Sequence, residues 1–313
     1  MKSNHQVLLG SAGVGAAYAT AKALRKYFNV KIIVADTNPS YLVTSNLISD
    51  FFEQIPSIHS NEFNNVIPQI IDRHSIDTYI PYIDLEVYKA ALLFENGKIN
   101  HEIALQIKKS SIASICLDKY NAYIWLKANG FPTPETYTIK ESCQLREGHI
   151  LKPKNGFGSV IHLITKNSYL NFENFDIFIM QEYCDIPEIT IDVHYSEEFN
   201  FFAYACRERI ETKSGVCTKA RIFNDPVLGE MALNLAKNLN LSSFCFQVMN
   251  LKNEFVITDI NPRLGAGTAM SLAVGMDFFG AMFSTLWGSD PKPFFTNITE
   301  DKYVTRQYSE FVM

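Results

Sequence analysis

Short apolar runs alternate with helical patterns at the start of the chain. The run from His5 to Leu9 ends in a glycine-rich turn, Gly10–Gly15, and a helical pattern follows over Ala16–Tyr27. A second apolar run, Val30–Ala35, ends at Asp36. A strand, a turn, a helix and a second strand form a βαβ unit, so we expect parallel strands joined by a helix.

The same alternation continues beyond Asp36. A helical pattern over Asn61–His74 leads to the strand-like run Ile76–Pro81, and a further helical segment is predicted near Ile99–Lys108. Repeated units of this kind predict a parallel sheet covered by helices. We therefore predict a Rossmann-like domain over residues 1–105.

The pattern changes after this domain. Lys119–Asn129 is predicted to be helical, and the segment Gly130–Pro134 ends that helix because proline cannot continue it. Glycine and polar turns then separate strand-like segments, which predicts an antiparallel region. These segments are His149–Pro153, Val160–Thr165, Ile177–Glu182, Ile189–Tyr195 and Phe199–Arg207.

The last third of the chain adds a helix and a strand pair. Asp225–Asn240 has the pattern of an amphipathic helix, and two strand-like runs follow it, Phe244–Leu251 and Glu254–Asp259. Only two residues separate these runs, so we expect them to pair as a hairpin.

Composition narrows the class of protein. The 313 residues include 47% hydrophobic and 19% charged residues, as in an ordinary globular protein, and the net charge is −5. A general nucleic-acid binder needs surplus basic residues, so we expect no nucleic-acid partner. No apolar run approaches the roughly 18 residues of a membrane span, and no signal peptide is apparent. The six cysteines have no metal-binding spacing, so we expect buried thiols in a cytoplasmic protein.

Two glycine-containing segments are candidates for binding anions. The turn Gly10–Gly15, followed by Asp36, could indicate a dinucleotide site, but its spacing does not fit Gly-x-Gly-x-x-Gly. A tight strand-to-helix turn is the favoured interpretation. At Lys152 a strand ends and the loop Gly156–Ser159 follows, so backbone amides and a lysine could hold phosphates. Alone, this second segment is equally compatible with an exposed hairpin.

The strongest candidate chemistry lies near the C-terminus. Asp259 and Asn261 are two residues apart at a strand end, so their side chains project to one face. Gln247, on the strand expected to pair with this one, can face the same way. Hard oxygen ligands of this kind suit Mg²⁺, and Arg263 places a permanent positive charge beside them.

Taken together, these segments resemble the ATP-grasp superfamily, and specifically its carbamoyl-phosphate-synthase-like carboxylate–amine ligase branch. The matching motifs follow the family's order over almost the whole chain. They are Pro81, Asp84 and Glu86; Asp118 and Lys119 with Leu126, Gly130, Pro132 and Pro134; Lys152 and Gly156–Ser159; Gln181–Cys184 and Glu188; Arg207 and Arg209 before Ser214 and Gly215; and Gln247, Asp259, Asn261 and Arg263.

The resemblance implies an α/β fold: a Rossmann-like pre-ATP-grasp lobe over residues 1–105, then a two-lobed α+β ATP-grasp module. Its small lobe with a glycine lid would span residues 106–185, and its large lobe residues 186–313. The implied nucleotide contacts are Lys119 and Lys152 for phosphates, Gly156, Gly158 and Ser159 in the lid, Glu182, Tyr183 and Cys184 for adenine, Glu188 for ribose, and Gln247. The implied metal ligands, for two Mg²⁺ ions with Mn²⁺ as a substitute, are Gln247, Asp259 and Asn261. The implied catalytic residues are Arg207, Arg209, Asn261 and Arg263.

Two positions depart from the family pattern. The metal position most often held by glutamate is Asp259, which is one methylene shorter. The segment Glu211–Gly215 lacks a doubled glycine, which leaves the geometry of the acceptor open.

The resemblance implies an ATP- and Mg²⁺-dependent ligase that converts a carboxylate to an acyl phosphate for attack by an amine. Its partners would be these two small molecules, and a homodimer is compatible with this interpretation. A phosphotransferase, a bicarbonate-activating enzyme and a non-catalytic nucleotide-binding protein stay open as alternatives. The substrates are not identified by the sequence.

Overall fold

Three β-sheets and eight α-helices organise the part of the chain that the structure, a computed structural model, describes. The described residues are 5–139, 146–156, 162–164, 177–213, 215–307 and 309–313. No helix among them is long and apolar enough to cross a bilayer. The predicted lid residues Gly158 and Ser159 lie outside the described ranges, as does Ser214.

The first sheet, here called the parallel sheet, has the strand order β3-β2-β1-β4, and each neighbouring pair is parallel. The predicted βαβ unit is confirmed. Its elements are β1 (Gln6–Leu9), α1 (Gly15–Tyr27), β2 (Lys31–Asp36), β3 (Phe51–Gln54), α2 (Phe63–Arg73), β4 (Thr78–Ile80) and α3 (Asp84–Glu95).

The predicted helix over Ile99–Lys108 is wrong. This segment runs extended beside β4, where the Ala104 amide donates to Asp77 O at 2.8 Å and the Tyr79 amide donates to Ala104 O at 3.0 Å. Ile103, Leu105 and Ile107 are buried at alternate positions. That period of two is typical of extended chain. The helix lies further on, as α4 (Ser110–Leu117).

The second sheet, here called the large sheet, has six antiparallel strands in the order β13-β12-β9-β10-β11-β14. Its strands are β9 (Asp185–Ser196), β10 (Phe201–Lys213), β11 (Val216–Phe223), β12 (Ser243–Leu251), β13 (Glu254–Asn261) and β14 (Lys302–Thr305). The helices of this region are α6 (Pro226–Leu239), α7 (Thr268–Leu272) and α8 (Phe278–Leu286). The hairpin predicted near the C-terminus is confirmed as β12 and β13.

The third sheet, here called the small sheet, comes after α5 (Lys119–Ala128) along the chain. Its strands are β5 (Thr136–Thr138), β6 (His149–Pro153), β7 (His162–Leu163) and β8 (Phe178–Glu182), in the order β5-β8-β6-β7. All of its pairs are antiparallel, as expected for this region.

One hydrophobic core joins the parallel sheet to the large sheet. Helix α1 packs against α8, and its small buried residues, including Ala16, Ala19 and Ala23, belong to a cluster that also contains residues of the large sheet. Phe279 and Phe283 of α8 belong to the same buried cluster. Small side chains let two elements approach closely, so the first lobe packs directly on the C-terminal lobe.

Candidate active site

The predicted metal ligands lie in two rows across one face of the large sheet, here called the site face. Arg207, Thr190, Gln247 and Asp259 are successive cross-strand partners on β10, β9, β12 and β13. Directly opposed residues of neighbouring strands share a face, so these four side chains lie side by side.

In the second row, Asp192 is opposite Cys245, and Cys245 is opposite Asn261. Strand pairing thus places Asn261 in the row adjacent to Asp259 on the site face. The sequence anticipated the pairing of β12 with β13, and the register adds Thr190 and Asp192 to the constellation.

Two lysines converge on Asp259 from the small-sheet side. Lys119 Nζ lies 3.9 Å from Asp259 Oδ1 and donates to Gly156 O at 2.9 Å. It is placed by the start of α5, where Asp118 caps the helix by accepting from the Tyr120 amide at 2.7 Å.

Lys152 crosses from β6 to the large sheet. Its Nζ donates to Thr258 O at 3.1 Å, and the residue is buried. Burial lowers the pKa of Lys152 to about 8, although the nearby Asp259 carboxylate favours the charged form. A buried ammonium in this position favours an anionic ligand.

Arg263 is held by an acid from the first lobe. Its Nε lies 2.9 Å from Asp84 Oδ1, and its Nη2 donates to Asp84 Oδ2 and Asn261 Oδ1, each at 3.4 Å. Burial raises the pKa of Asp84, and the Arg263 charge opposes that rise. Asp84 is the first residue of α3, so the parallel-sheet lobe contributes directly to this part of the site.

Arg207 is held by Asp192, which is fully buried. Two Arg207 nitrogens lie 3.3 and 3.4 Å from the two Asp192 oxygens, which also accept from Thr268 Oγ1 at 2.8 Å and Ser271 Oγ at 2.6 Å. A Cβ at Gly267 would overlap the guanidinium, so any side chain there would force Arg207 to move. Sequence motifs alone did not identify Asp192.

A signal for Asp192 was present in β9. Polar residues alternate with apolar ones along the strand: Thr190, Asp192 and His194 are all buried on one face. Buried polar groups need hydrogen-bond partners, so this alternation pointed to a polar network.

Glu188 and Arg209 form an ion pair with each other. Arg209 Nη1 donates to Glu188, and Arg209 Nη2 donates to Gly215 O at 2.8 Å. The sequence assigned Glu188 to ribose and Arg209 to catalysis, so the structure places the two predicted residues together at one edge of the site.

The predicted hinge begins in the last residues of β8 and continues beyond it. The Glu182 amide donates to Glu135 O at 2.9 Å, and the Tyr183 amide donates to Gly148 O at 3.0 Å. Both amides are therefore engaged within the protein. Cys184 is buried, and burial raises the pKa of its thiol to about 11, so it packs as a neutral side chain. All five described cysteines are buried and free of disulfides, as the composition suggested.

A cavity of about 300 Å³, here called the interlobe cavity, lies between α1 and the site face. Its walls combine three arginines with small and apolar residues from both lobes. The lining residues are Val14, Gly15, Ala16, Tyr82, Thr190, Arg207, Arg209, Gly215, Val216, Cys217, Cys245, Gln247, Asn261, Arg263, Gly265, Ala266 and Gly267.

The glycine turn of the first lobe closes over a buried acid. Glu86 accepts from Ser11 Oγ and from Tyr79 Oη at 2.6 Å, and burial raises its pKa to about 7. A Cβ at Gly10 would overlap the Glu86 carboxyl, so glycine is required there by close approach. The Gly13 amide donates to Asp36 at 2.7 Å. The acid that could have indicated a dinucleotide site therefore anchors the turn, which agrees with the interpretation favoured from the sequence.

The donor set beside Asp259 fits Mg²⁺. It offers one carboxylate and the amide oxygens of Gln247 and Asn261, and Asn261 Oδ1 already faces the cationic group of Arg263. Mg²⁺ prefers one or two protein carboxylates together with phosphate oxygens, which a nucleotide would supply. The described residues contain no cluster of three acidic, histidine or cysteine side chains that could bind a metal alone.

Comparisons with known proteins support the fold. Residues 116–267 match the sequence model of the ATP-grasp domain family. Three similar solved structures are N5-carboxyaminoimidazole ribonucleotide synthetase from Thermotoga maritima (TM-score 0.66, 17% identity, covering 91% of this chain and 76% of that one), L-amino acid ligase from Bacillus licheniformis (0.70, 12%, 94% and 77%) and phosphoribosylglycinamide synthetase from Anaerococcus prevotii (0.66, 16%, 93% and 77%). A search of curated protein sequences found no match.

The order of the parallel, small and large sheets along the chain, together with this sequence match, indicates the class of protein. The region spanning residues 116–267 belongs to the ATP-grasp superfamily. The resemblance to the ATP-grasp superfamily is confirmed for residues 116–267, and the α/β fold expected from the sequence is confirmed.

Proposed function

We propose that the protein is an ATP- and Mg²⁺-dependent ligase that activates a carboxylate as an acyl phosphate for attack by an amine. The observation that carries this proposal is the convergence of Lys119 and Lys152 on Asp259, within a site face that continues into the arginine-lined interlobe cavity. A nucleotide's phosphates and a small acid would meet at this junction.

In this proposal ATP lies between the small sheet and the large sheet. Lys119 and Lys152 hold its phosphates, and Glu188 accepts hydrogen bonds from the ribose. Because the Glu182 and Tyr183 amides are engaged, the Cys184 amide is the hinge donor we expect to contact adenine. Asp259, Asn261 and Gln247 would hold Mg²⁺, which neutralises charge on the transferring phosphoryl group.

The carboxylate is placed in the interlobe cavity by guanidinium groups. Its oxygen attacks the γ-phosphorus of ATP, the bond from that phosphorus to the β,γ-bridging oxygen breaks, and ADP leaves. Arg263, oriented by Asp84 and Asn261, stabilises charge on the transferred phosphoryl group. The amine then attacks the acyl carbon, loses a proton and expels inorganic phosphate, so the amide forms in two feasible steps.

The names of similar structures support this reaction class. They include an L-amino acid ligase, an N5-carboxyaminoimidazole ribonucleotide synthetase and a phosphoribosylglycinamide synthetase. We therefore favour a reaction that forms a carbon–nitrogen bond over one that releases a stable phosphorylated product.

An isotope experiment tests the proposal. A panel of carboxylates and amines is first screened for phosphate release that requires both substrates together with ATP and Mg²⁺. An accepted acid labelled with ¹⁸O in its carboxylate is then run to completion, and one label is expected in inorganic phosphate. Label in AMP, with release of pyrophosphate, would mean adenylation and would refute the acyl phosphate.

A further inference from the structure

The walls of the interlobe cavity indicate which class of acid it would bind, an inference that rests on the proposed function. Three arginines, Arg207, Arg209 and Arg263, line this cavity. Each is anchored by a carboxylate, Asp192, Glu188 and Asp84 respectively, that is not among the lining residues. The cationic residues therefore line the cavity, whereas their carboxylate partners do not.

No acidic side chain is present among the described residues that line the cavity. The remaining polar lining groups are Thr190, Tyr82, Gln247 and Asn261, and the last two belong to the proposed metal side. An ammonium group on the ligand would lose its water beside three cations without gaining a carboxylate partner. Burying a charge beside like charges costs more free energy than burying an unpaired neutral polar group.

The rest of the wall is apolar and the space is small. Val14 and Ala16 of the first lobe face Val216, Cys217 and Ala266 of the C-terminal lobe. About 300 Å³ is the lower end of the range for small-molecule pockets. An acid with an apolar body of a few carbons gains from burial here, whereas a long or highly polar acid does not.

We infer that the interlobe cavity binds a compact carboxylic acid that has an apolar body and no ammonium group. Free α-amino acids are thereby excluded as the activated substrate. The same guanidinium groups favour the uncharged form of an incoming amine, because nearby positive charge lowers an amine's pKa. The amine would thus meet the acyl phosphate in its nucleophilic form.

Binding of matched acids tests this inference without turnover. Isothermal titration calorimetry would be run with Mg²⁺ and a non-hydrolysable ATP analogue present. The titrants are carboxylates of three to six carbons, each as the parent acid, the 2-hydroxy acid and the 2-amino acid. We expect at least one parent or hydroxy acid to bind at least about tenfold more tightly than its amino counterpart. Equal or tighter binding of the amino acids, binding of bicarbonate alone, or no binding by any parent or hydroxy acid would overturn it.

A charge introduced into the wall gives a second test. Val216 lines the cavity at the start of β11 and is 38% exposed, so a polar residue can be accommodated there. Val216→Asp should shift the ratio of amino-acid to parent-acid affinity by at least about tenfold towards the amino acid, relative to the equally shaped, uncharged Val216→Asn. An unchanged ratio would contradict the inference that the charge of the cavity wall determines which acids bind.

The two proposals fail separately. An acid that binds with the expected preference but gives no amine-dependent phosphate release refutes the ligase reaction alone. An amino acid that binds as tightly as its parent acid, and is then converted, refutes the substrate class alone.

Discussion

At the scale of single residues, Lys152 links the site to pH. Its pKa of about 8 means that it carries its charge at pH 7 and loses it as the pH rises through that value. Bound phosphate favours the charged form, so nucleotide affinity should fall above pH 8. Because one proton is involved, the affinity should fall by at most about tenfold per pH unit.

Calorimetric titration of ADP and Mg²⁺ into the protein at pH 7, 8 and 9 checks this prediction. In Lys152→Arg the guanidinium stays charged, so the decline should be much shallower. A wild-type affinity that is constant over the range would show that Lys152 does not titrate near phosphate.

Glu188 has two candidate tasks that a pair of variants can separate. The sequence predicts that it binds ribose, and in the structure it pairs with Arg209. We expect Glu188→Ala to weaken ADP binding by about 1.5–3 kcal/mol, the scale of a hydrogen bond to a charged group. Arg209→Gln removes the partner and retains the acid, so its ADP affinity should stay close to that of the wild type. Calorimetry would contradict the ribose assignment if both variants bound ADP normally.

At the scale of elements, the turn between β1 and α1 depends on one close approach. A Cβ at Gly10 would overlap the buried Glu86 carboxyl, whereas a Cβ at Gly15 would only touch Ala266 at 3.8 Å. Gly10→Ala should therefore lower the free energy of unfolding by about 1–3 kcal/mol through overpacking. Gly15→Ala, at the start of α1, should be neutral or slightly stabilising. Urea denaturation compares the stabilities of the two variants. Equal stabilities would show that the Glu86 carboxyl is not what excludes a side chain at position 10.

The same scale shows what sequence patterns can specify. Helix α6 was predicted within one residue at each end, because Asp225 caps its start and Asn240 adopts the left-handed conformation at its end. The segment 99–108 was predicted wrongly because its isoleucines also fit helical spacing, and only the neighbouring strand β4 selects the extended form. Strand β14 was missed, since it is a four-residue edge strand with little internal pattern.

Some features of the candidate site could likewise be predicted from the sequence, and others could not. Residues that carry chemistry on strand ends, such as Asp259 and Arg263, stand out because polar groups interrupt an apolar run. The pairing of such residues with their anchoring partners does not stand out, even where the partner belongs to a motif, as Asp84 does. Asp84 lies 179 positions from Arg263 along the chain, and no local pattern specifies that they meet.

At the scale of the whole molecule, the buried pair of Asp84 and Arg263 joins two lobes. Asp84→Ala leaves the Arg263 charge buried without this partner, and such a loss typically costs about 3–5 kcal/mol of unfolding free energy. Asp84→Asn retains an acceptor and should lose less. Urea denaturation followed by the fluorescence of Trp287, which stacks on His5 of the first lobe, reports this transition. A loss below about 1 kcal/mol for Asp84→Ala would mean that the pair is not formed in solution.

The row of alanines on α1 also limits how this protein could be recombined with others. A crossover after the parallel sheet would exchange one half of a continuous core, so a donor lobe would need equally small residues on that helix. It would also need an acid at the position of Asp84, or the transplanted lobe would deprive Arg263 of its partner. Chimeras that carry over α1 and α3 together with the helix α8 and the loop around Gly267 should fold where exchanges of the first lobe alone do not.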